Sequence, residues 1–113
     1  MHELSLCQGI VDAIEAEARK QDFRRVRCVQ LEIGALAGVD GEALRFGWEL
    51  VSPGTLAEGA ALDIVSVPGS AWCFDCQETI EVENYYDPCP RCQSHKLRVS
   101  GGEQLKIKQL EVE

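Results

Sequence analysis

Four cysteines in the C-terminal half carry the strongest chemical signal in this chain of 113 residues. They form two C-x-x-C pairs, Cys73 with Cys76 and Cys89 with Cys92, separated by residues 77–88. Each pair puts two thiolates on one tight turn, so two turns supply the four sulfurs of a tetrahedral zinc site. Because four protein sulfurs leave no open position, the pattern predicts a structural zinc ion and not a catalytic one.

A redox dithiol and an iron site are the alternatives for these cysteines. A thioredoxin-type motif uses one C-x-x-C at a helix N-terminus, whereas two pairs, one of them Cys-Pro-x-Cys, favour a zinc ribbon. His95 follows closely after Cys92 and is either a surface histidine or a secondary ligand. We expect Cys7 and Cys28 to be buried and to act as small hydrophobic residues.

The first three residues, Met1, His2 and Glu3, offer a second set of metal donors. A free α-amine, the backbone nitrogen of His2 and its imidazole Nδ1 can form adjacent chelate rings in one plane. Three in-plane nitrogens suit Ni(II) or Cu(II), and Glu3 can add a fourth donor. A frayed terminus is the simpler interpretation of the same residues, and spacing alone does not decide between the two.

Composition and charge disfavour several classes of function. The net charge is -8 and no segment is basic, which argues against a zinc ribbon that binds nucleic acid. No apolar run is long enough to cross a membrane, and no export signal precedes the first helix, so we expect a reducing, cytoplasmic location. A redox or metal-dependent enzyme would need an open coordination site or a reactive thiol, and the sequence offers neither.

Hydrophobic periodicity predicts the elements that position these residues. A capping box formed by Ser5 and Gln8 starts a helix, and Asp40 caps a second one that stops at Ser52. Alternating apolar residues predict strands over 26–33, 61–67 and 105–112. The expected class is α/β (α+β), with a small three-stranded sheet, two helices and an inserted zinc-ribbon module. The predicted domains are residues 1–70 with 101–113, and the ribbon, residues 71–100.

Taken together, these motifs resemble the HypA/HybF family of nickel metallochaperones in hydrogenase maturation. The resemblance covers essentially the whole chain. It rests on Met1-His2-Glu3, Glu32-Ile33-Gly34, Thr55-Leu56-Ala57-Glu58-Gly59, the two cysteine pairs, Ser94-His95 and the closing strand from Leu105.

The resemblance implies a function, partners and site residues. It implies a nickel-binding domain joined to a zinc ribbon, with nickel at the N-terminus, His2 essential and Glu3 assisting. It implies the maturation GTPase HypB as partner, the large subunit of a [NiFe] hydrogenase as recipient and, for some members, urease maturation proteins. Members that remodel the zinc site with pH carry histidines beside both cysteine pairs. This chain has Gln77 and Gln93 there, so strong remodelling is not expected.

The sequence therefore predicts a non-enzymatic nickel carrier with a structural zinc site. Ni(II) is expected on Met1, His2 and Glu3, with an affinity that falls as pH drops through the histidine range. An acidic zinc-ribbon adaptor for a GTPase, carrying no nickel, is the alternative. A nucleic-acid-binding zinc ribbon ranks below both.

Overall fold

This computed structural model describes residues 2–113 of the chain, which form two helices and six strands joined by loops. In chain order they are α1 His2–Gln21, β1 Val26–Gly34, α2 Gly41–Val51, β2 Ala61–Val67, β3 Gly69–Cys73, β4 Glu78–Val82, β5 Leu97–Gly101 and β6 Leu105–Val112. Strands β2, β1 and β6 form one three-stranded sheet in that order, and β4, β3 and β5 form a second. The predicted fold class and the three predicted strands are confirmed.

Two compact units can be distinguished by their internal contacts. We call Glu32–Gly38 with Val65–Lys106 the ribbon unit, and the remaining described residues the helical unit. The ribbon unit includes the predicted zinc ribbon, residues 71–100, whose boundaries as a separate domain stay a prediction. Neither α1 nor α2 combines the length and the apolar character that a membrane-spanning helix requires.

Helix α1 begins earlier in the chain than the predicted capping box at Ser5 indicated. The predicted capping box placed Ser5 at the N-cap, but the helix already includes His2, so this prediction is wrong. The carboxylate of Glu3, in the first turn, accepts a hydrogen bond from the backbone N–H of Asp40. That contact ties the first turn to a distant segment, and a carboxylate is also favourable at the positive end of a helix. His2 and Glu3 therefore belong to a helix terminus and not to a tail before it.

In the helical unit α1 and α2 pack against each other, and Val29 and Leu31 of β1 are fully buried as well. The predicted cap of α2 is confirmed, because the side chain of Asp40 accepts hydrogen bonds from two backbone N–H groups of the first turn. The buried Trp48 donates its indole N–H to the carbonyl of Ala60 at 3.1 Å. The buried residues of the two helices are Cys7, Ile10, Val11 and Ile14 on α1 and Leu44, Gly47 and Trp48 on α2.

The ribbon unit is built on β3, which pairs antiparallel with β4 on one side and β5 on the other. Its alternating side chains separate two faces, with Ala71 and Cys73 buried and Trp72 exposed. The buried face contributes to a small core that consists of Leu36, Ala71, Cys73, Ile80, Val82 and Cys89. Two cysteines of the predicted zinc site are thus core residues of this unit.

Three backbone segments of the ribbon unit approach each other so closely that only glycine fits. A Cβ atom on Gly34 would lie 2.0 Å from the carbonyl oxygen of Gly102, and one on Gly102 would lie 2.4 Å from the Cα of Gly69. Two hydrogen bonds link the first and third of these segments, from the N–H of Gly34 to the carbonyl of Gln104 and from the N–H of Leu36 to the carbonyl of Gly102. Gly102 also has a φ of 87°, in the left-handed region that other residues avoid.

We expect the substitution Gly34→Ala to lower the free energy of unfolding by about 3 kcal/mol, since the new methyl group meets backbone that cannot move aside. The measurement is denaturant unfolding of the parent and variant. Gly9→Ala is the matched control, because Gly9 lies within α1 with open space around its Cβ position, and it should stabilise the helix by up to about 1 kcal/mol. A Gly34→Ala variant as stable as the parent would contradict the close approach.

Candidate metal centres

The four predicted zinc ligands come together in the structure. Their Sγ atoms all lie within 4.8 Å of one another, which makes them a group that could hold a metal ion. The sulfurs of Cys73 and Cys92 are 3.6 Å apart, and those of Cys76 and Cys89 are 3.9 Å apart. Cys73 and Cys89 are buried, Cys76 is half-buried and Cys92 is exposed, so the cluster lies at the edge of the ribbon core.

The two C-x-x-C turns share one backbone geometry, and we call them the knuckles, residues 73–77 and 89–93. In each, the N–H of the residue after the second cysteine returns to the carbonyl of the first. Gln77 donates to Cys73 at 2.7 Å and Gln93 donates to Cys89 at 2.8 Å. Both glutamines have positive φ values, 56° and 64°, a conformation that costs a non-glycine residue energy. The sequence does not reveal that these glutamines close the turns, because glutamine rarely adopts the left-handed backbone conformation.

The distances fit a tetrahedral thiolate site. With zinc–sulfur bonds of about 2.3 Å, the edges of a regular tetrahedron of sulfurs are about 3.8 Å long. The two measured sulfur pairs lie on either side of that value. Zinc held there by four sulfurs would have no position left for water or a substrate, so the arrangement supports structure and not catalysis.

Crowding shifts the pKa values of Cys76 and Cys89 in opposite directions. The pKa of Cys76 is raised, first because its thiol is hydrogen-bonded to Cys92 and second because burial disfavours the thiolate. Burial raises the pKa of Cys89 as well, but backbone N–H groups of Cys92 and Arg91 outweigh it, and the pKa of Cys89 is lowered to about 7. Four thiolates at these distances need a cation, and a bound dication favours deprotonation of every ligand.

His95 is not a member of the four-cysteine group within the described residues. It is exposed, and its carbonyl accepts a hydrogen bond from the N–H of Leu97. Its side chain borders a cavity of about 270 Å³ whose other lining residues are Ala71, Val82, Tyr85, Tyr86, Asp87, Leu97 and Val99. Its role as a secondary ligand stays a prediction.

The second candidate centre lies at the start of α1. Met1 falls outside the described residues, so its predicted amine ligand has no structural description. The side chain of His2 is 61% exposed, and its Nδ1 lies 3.6 Å from Oε2 of Glu3. The backbone nitrogen of His2 is in the first turn, where N–H groups have no carbonyl partner within the helix. Imidazole, backbone nitrogen and carboxylate are thus neighbours at an accessible helix end.

Asp40 joins this centre, although the sequence predicts it only as a helix cap. Its N–H donates to Oε2 of Glu3 at 3.2 Å, across 37 positions of sequence. This hydrogen bond is the main reason that the pKa of the Glu3 carboxyl is lowered. Glu3 therefore stays ionised to lower pH than an ordinary glutamate, which keeps a negative charge beside His2. No local pattern in the sequence could have linked the two residues.

The other two cysteines belong to neither centre. Cys7 is fully buried as predicted, and its thiol donates to the carbonyl of Leu44 at 3.2 Å. Burial, followed by the charge of Glu3, raises the pKa of Cys7, so it remains a neutral thiol. Cys28 is half-buried, so the prediction that it is buried is wrong. It lies on the face of β1 opposite the buried Val29, Leu31 and Ile33.

Comparison with known proteins decides the family. A family model described as hydrogenase/urease nickel incorporation, metallochaperone, hypA matches residues 1–112. The chain belongs to the HypA family. The resemblance inferred from the sequence motifs is thereby confirmed, and the family is one of metallochaperones that act in nickel incorporation and hydrogenase maturation.

Curated HypA proteins align with the chain from end to end. A hydrogenase maturation factor HypA from Bradyrhizobium sp. is 54% identical over 113 residues, and one from Acidithiobacillus ferrooxidans is 56% identical, each with both chains fully covered. The solution structure of the nickel metallochaperone HypA from Helicobacter pylori superposes with a TM-score of 0.69, covering 97% of this chain and 96% of that one. At 23% identity, this likeness supports the HypA fold alone.

We expect the purified protein to contain one metal ion on the four sulfurs and the substitution Cys73→Ser to release it, because three sulfurs leave an open, weaker site. Elemental analysis measures zinc content, and substitution with cobalt tests for tetrahedral thiolate absorption in the visible range. Cys28→Ser is the matched control and should keep the ion, since Cys28 is outside the group. Full metal content in Cys73→Ser would rule out a four-sulfur site.

Proposed function

We propose that the chain is a nickel carrier that binds Ni(II) at its N-terminus and delivers it for maturation of a [NiFe] hydrogenase. The donors are the α-amine of Met1, the backbone nitrogen and imidazole of His2, and the carboxylate of Glu3. The observation that supports this most directly is the 3.6 Å approach of His2 Nδ1 to the Glu3 carboxylate at an exposed helix start. Membership in a family of nickel-incorporation metallochaperones gives it independent support.

The helix start suits the proposed donor set. The backbone nitrogen of His2 gives up no helical hydrogen bond when it loses its proton and binds nickel, because first-turn N–H groups are unpaired within the helix. Nδ1 is the imidazole nitrogen that can close a chelate ring with that backbone nitrogen in the plane that square-planar Ni(II) favours. Oε2 of Glu3 both accepts from Asp40 and lies 3.6 Å from His2 Nδ1, so nickel would bind through its second lone pair or through Oε1.

The electrostatics of this position favour release as well as binding. The N-terminus of a helix carries about half a positive charge, which opposes a cation placed there. The ionised Glu3 and a deprotonated backbone nitrogen offset that repulsion. Because the site is exposed, a recipient can approach and replace the ligands one at a time. A carrier needs this balance, since an ion in a closed cage would not be passed on.

The cysteine cluster has a different role in this proposal. Zinc on the four sulfurs holds the ribbon unit together, while nickel is the cargo. We further propose the GTPase HypB and the hydrogenase large subunit as partners, with urease maturation proteins as additional candidates, and a cytoplasmic location. The protein acts without catalysing a reaction. A zinc-ribbon adaptor that carries no nickel is the alternative, and nickel titration separates the two.

We expect His2→Ala to weaken nickel binding by more than about 100-fold, because loss of an outer-shell partner alone costs 10- to 100-fold and this variant loses a direct ligand, the imidazole, while it keeps the backbone nitrogen. The measurement is calorimetric titration of untagged, zinc-loaded protein with Ni(II). His95→Ala is the matched control, as His95 is the other histidine of the chain and is also exposed. Equal affinity of parent and His2→Ala would refute the N-terminal site.

A second variant tests the amine separately. We expect a Gly-Ser-Gly-Ser extension before Met1 to weaken nickel binding, because the amine then lies too far along the chain to close a chelate ring with the donors of His2. A single added residue is unsuitable, since a histidine in third position behind a free amine is itself a square-planar chelate of four nitrogens. The control carries the same four residues after Glu113. If the N-terminal extension leaves the affinity unchanged while His2→Ala abolishes it, nickel is bound at His2 without the amine.

A further inference from the structure

An apolar groove lies between the first turn of α1 and the exposed side of α2, next to the proposed nickel site. Its volume is about 270 Å³, and it is lined by Glu3, Leu4, Ala43, Phe46, Gly47 and Leu50. Phe46 is 63% exposed and Leu50 is 59% exposed, more than any other large apolar side chain described in the helical unit. Neither contributes to the buried core of that unit, so folding alone does not account for them.

The groove exists because α2 carries no side chain at Gly47, where it passes close to α1. A Cβ atom on Gly47 would lie 3.2 Å from the sulfur of Cys7 and 3.5 Å from the Cα of Leu4. The two helices therefore approach closely at Gly47, which forms the bottom of the groove. The larger side chains of Phe46 and Leu50 form part of its walls. On α2 the lining residues recur at i, i+3, i+4 and i+7 from Ala43, which is the stripe that a helix presents to a partner.

Negative charge borders the apolar stripe. Glu42 and Glu49 are both exposed and lie on one helical row with Phe46, at i, i+4 and i+7. Glu3 borders the opposite side, from α1, and adds a carboxylate there. The basic residue of α2, Arg45, donates to the carbonyl of Leu62. The rim of the groove is thus acidic.

We propose that this groove docks an amphipathic helix that carries Lys or Arg beside its apolar face, on the protein that exchanges nickel with this chain. The proposal rests on the proposed function, because it assigns to the exchange partner the surface that includes Glu3. An apolar stripe at helical spacing takes the apolar face of a helix, and the acidic rim selects a basic flank. Docking there brings the partner's own metal ligands within reach of His2.

A second copy of the chain is a poorer occupant. A two-fold interface would place the acidic rim of one copy against the same rim of the other. The chain as a whole carries a net charge of -8, which adds to that repulsion. Charge complementarity therefore favours a basic partner.

The test compares the double variant Phe46→Ser, Leu50→Ser with the parent in binding to purified HypB and to the purified hydrogenase large-subunit precursor. We expect binding to at least one of them to weaken by more than about 30-fold, as for a pair of interface hot spots. Val112→Ser is the matched control, since Val112 is an exposed apolar residue of the same unit outside the groove. Because all three residues are exposed, the variants should fold and keep their zinc.

Charge and nickel affinity are measured on the same proteins. Glu42→Lys with Glu49→Lys should weaken partner binding at low salt, and the difference should shrink as salt screens it. The serine variant should bind nickel as tightly as the parent, because neither Phe46 nor Leu50 offers a donor. His2→Ala should still bind the partner, so loss of the nickel site and loss of the groove give different results.

Three outcomes would overturn the proposal. In the first, the serine variant binds both proteins within threefold of the parent. In the second, the Val112→Ser control loses binding as well, so the effect is not specific to the groove. In the third, sedimentation finds a dimeric parent and a monomeric serine variant, which makes the groove an interface between copies.

Discussion

The cysteine cluster depends on a contact that involves no side chain at all. Gly34, Gly69 and Gly102 bring three stretches of backbone together at distances that no Cβ atom permits. Gly69 begins β3 and Cys73 ends it, so the position of the first sulfur follows from where that strand starts. Gly102 follows β5, the other neighbour of Cys73 in the sheet. The glycine contact thus fixes β3, which carries Cys73, and its neighbour β5, while the other three cysteines lie on the turns and loops that connect the strands of this sheet.

The two candidate metal centres differ in their ligand atoms and in how easily a bound ion could leave. Soft sulfur ligands on two knuckles would make a closed site that retains its ion. The nitrogen and oxygen donors proposed at the helix end would make an open site, where repulsion from the helix dipole limits how tightly a cation is held. In the proposed function, a retained ion on sulfur and a transported ion on nitrogen and oxygen would each be less prone to occupy the other's site.

Local patterns predicted both helices and the strands β1, β2 and β6, whereas β3, β4 and β5 were expected only together, as a zinc ribbon. Strands β2 and β6 and the Asp40 cap follow from alternation and capping chemistry, which are properties of neighbouring residues. The cysteine cluster was predictable because its spacing encodes its geometry. The start of α1 was not, because Glu3 is held by a backbone group far along the chain. The glycine contact was likewise hidden, since a glycine in the sequence does not reveal what lies against it.

The matching backbones of the two knuckles make the cysteine cluster tolerant of change between them. Each knuckle is closed by a hydrogen bond within five consecutive residues, so its shape does not depend on what connects it to the other. Entropy penalises a longer connection only weakly, by about 0.6 kcal/mol for each doubling of a flexible loop. The loop of residues 83–88, between β4 and the second knuckle, can therefore change in length or composition without disturbing the ligands. The same loop is a suitable point for inserting a reporter peptide, because bound metal would still report correct folding of the cluster.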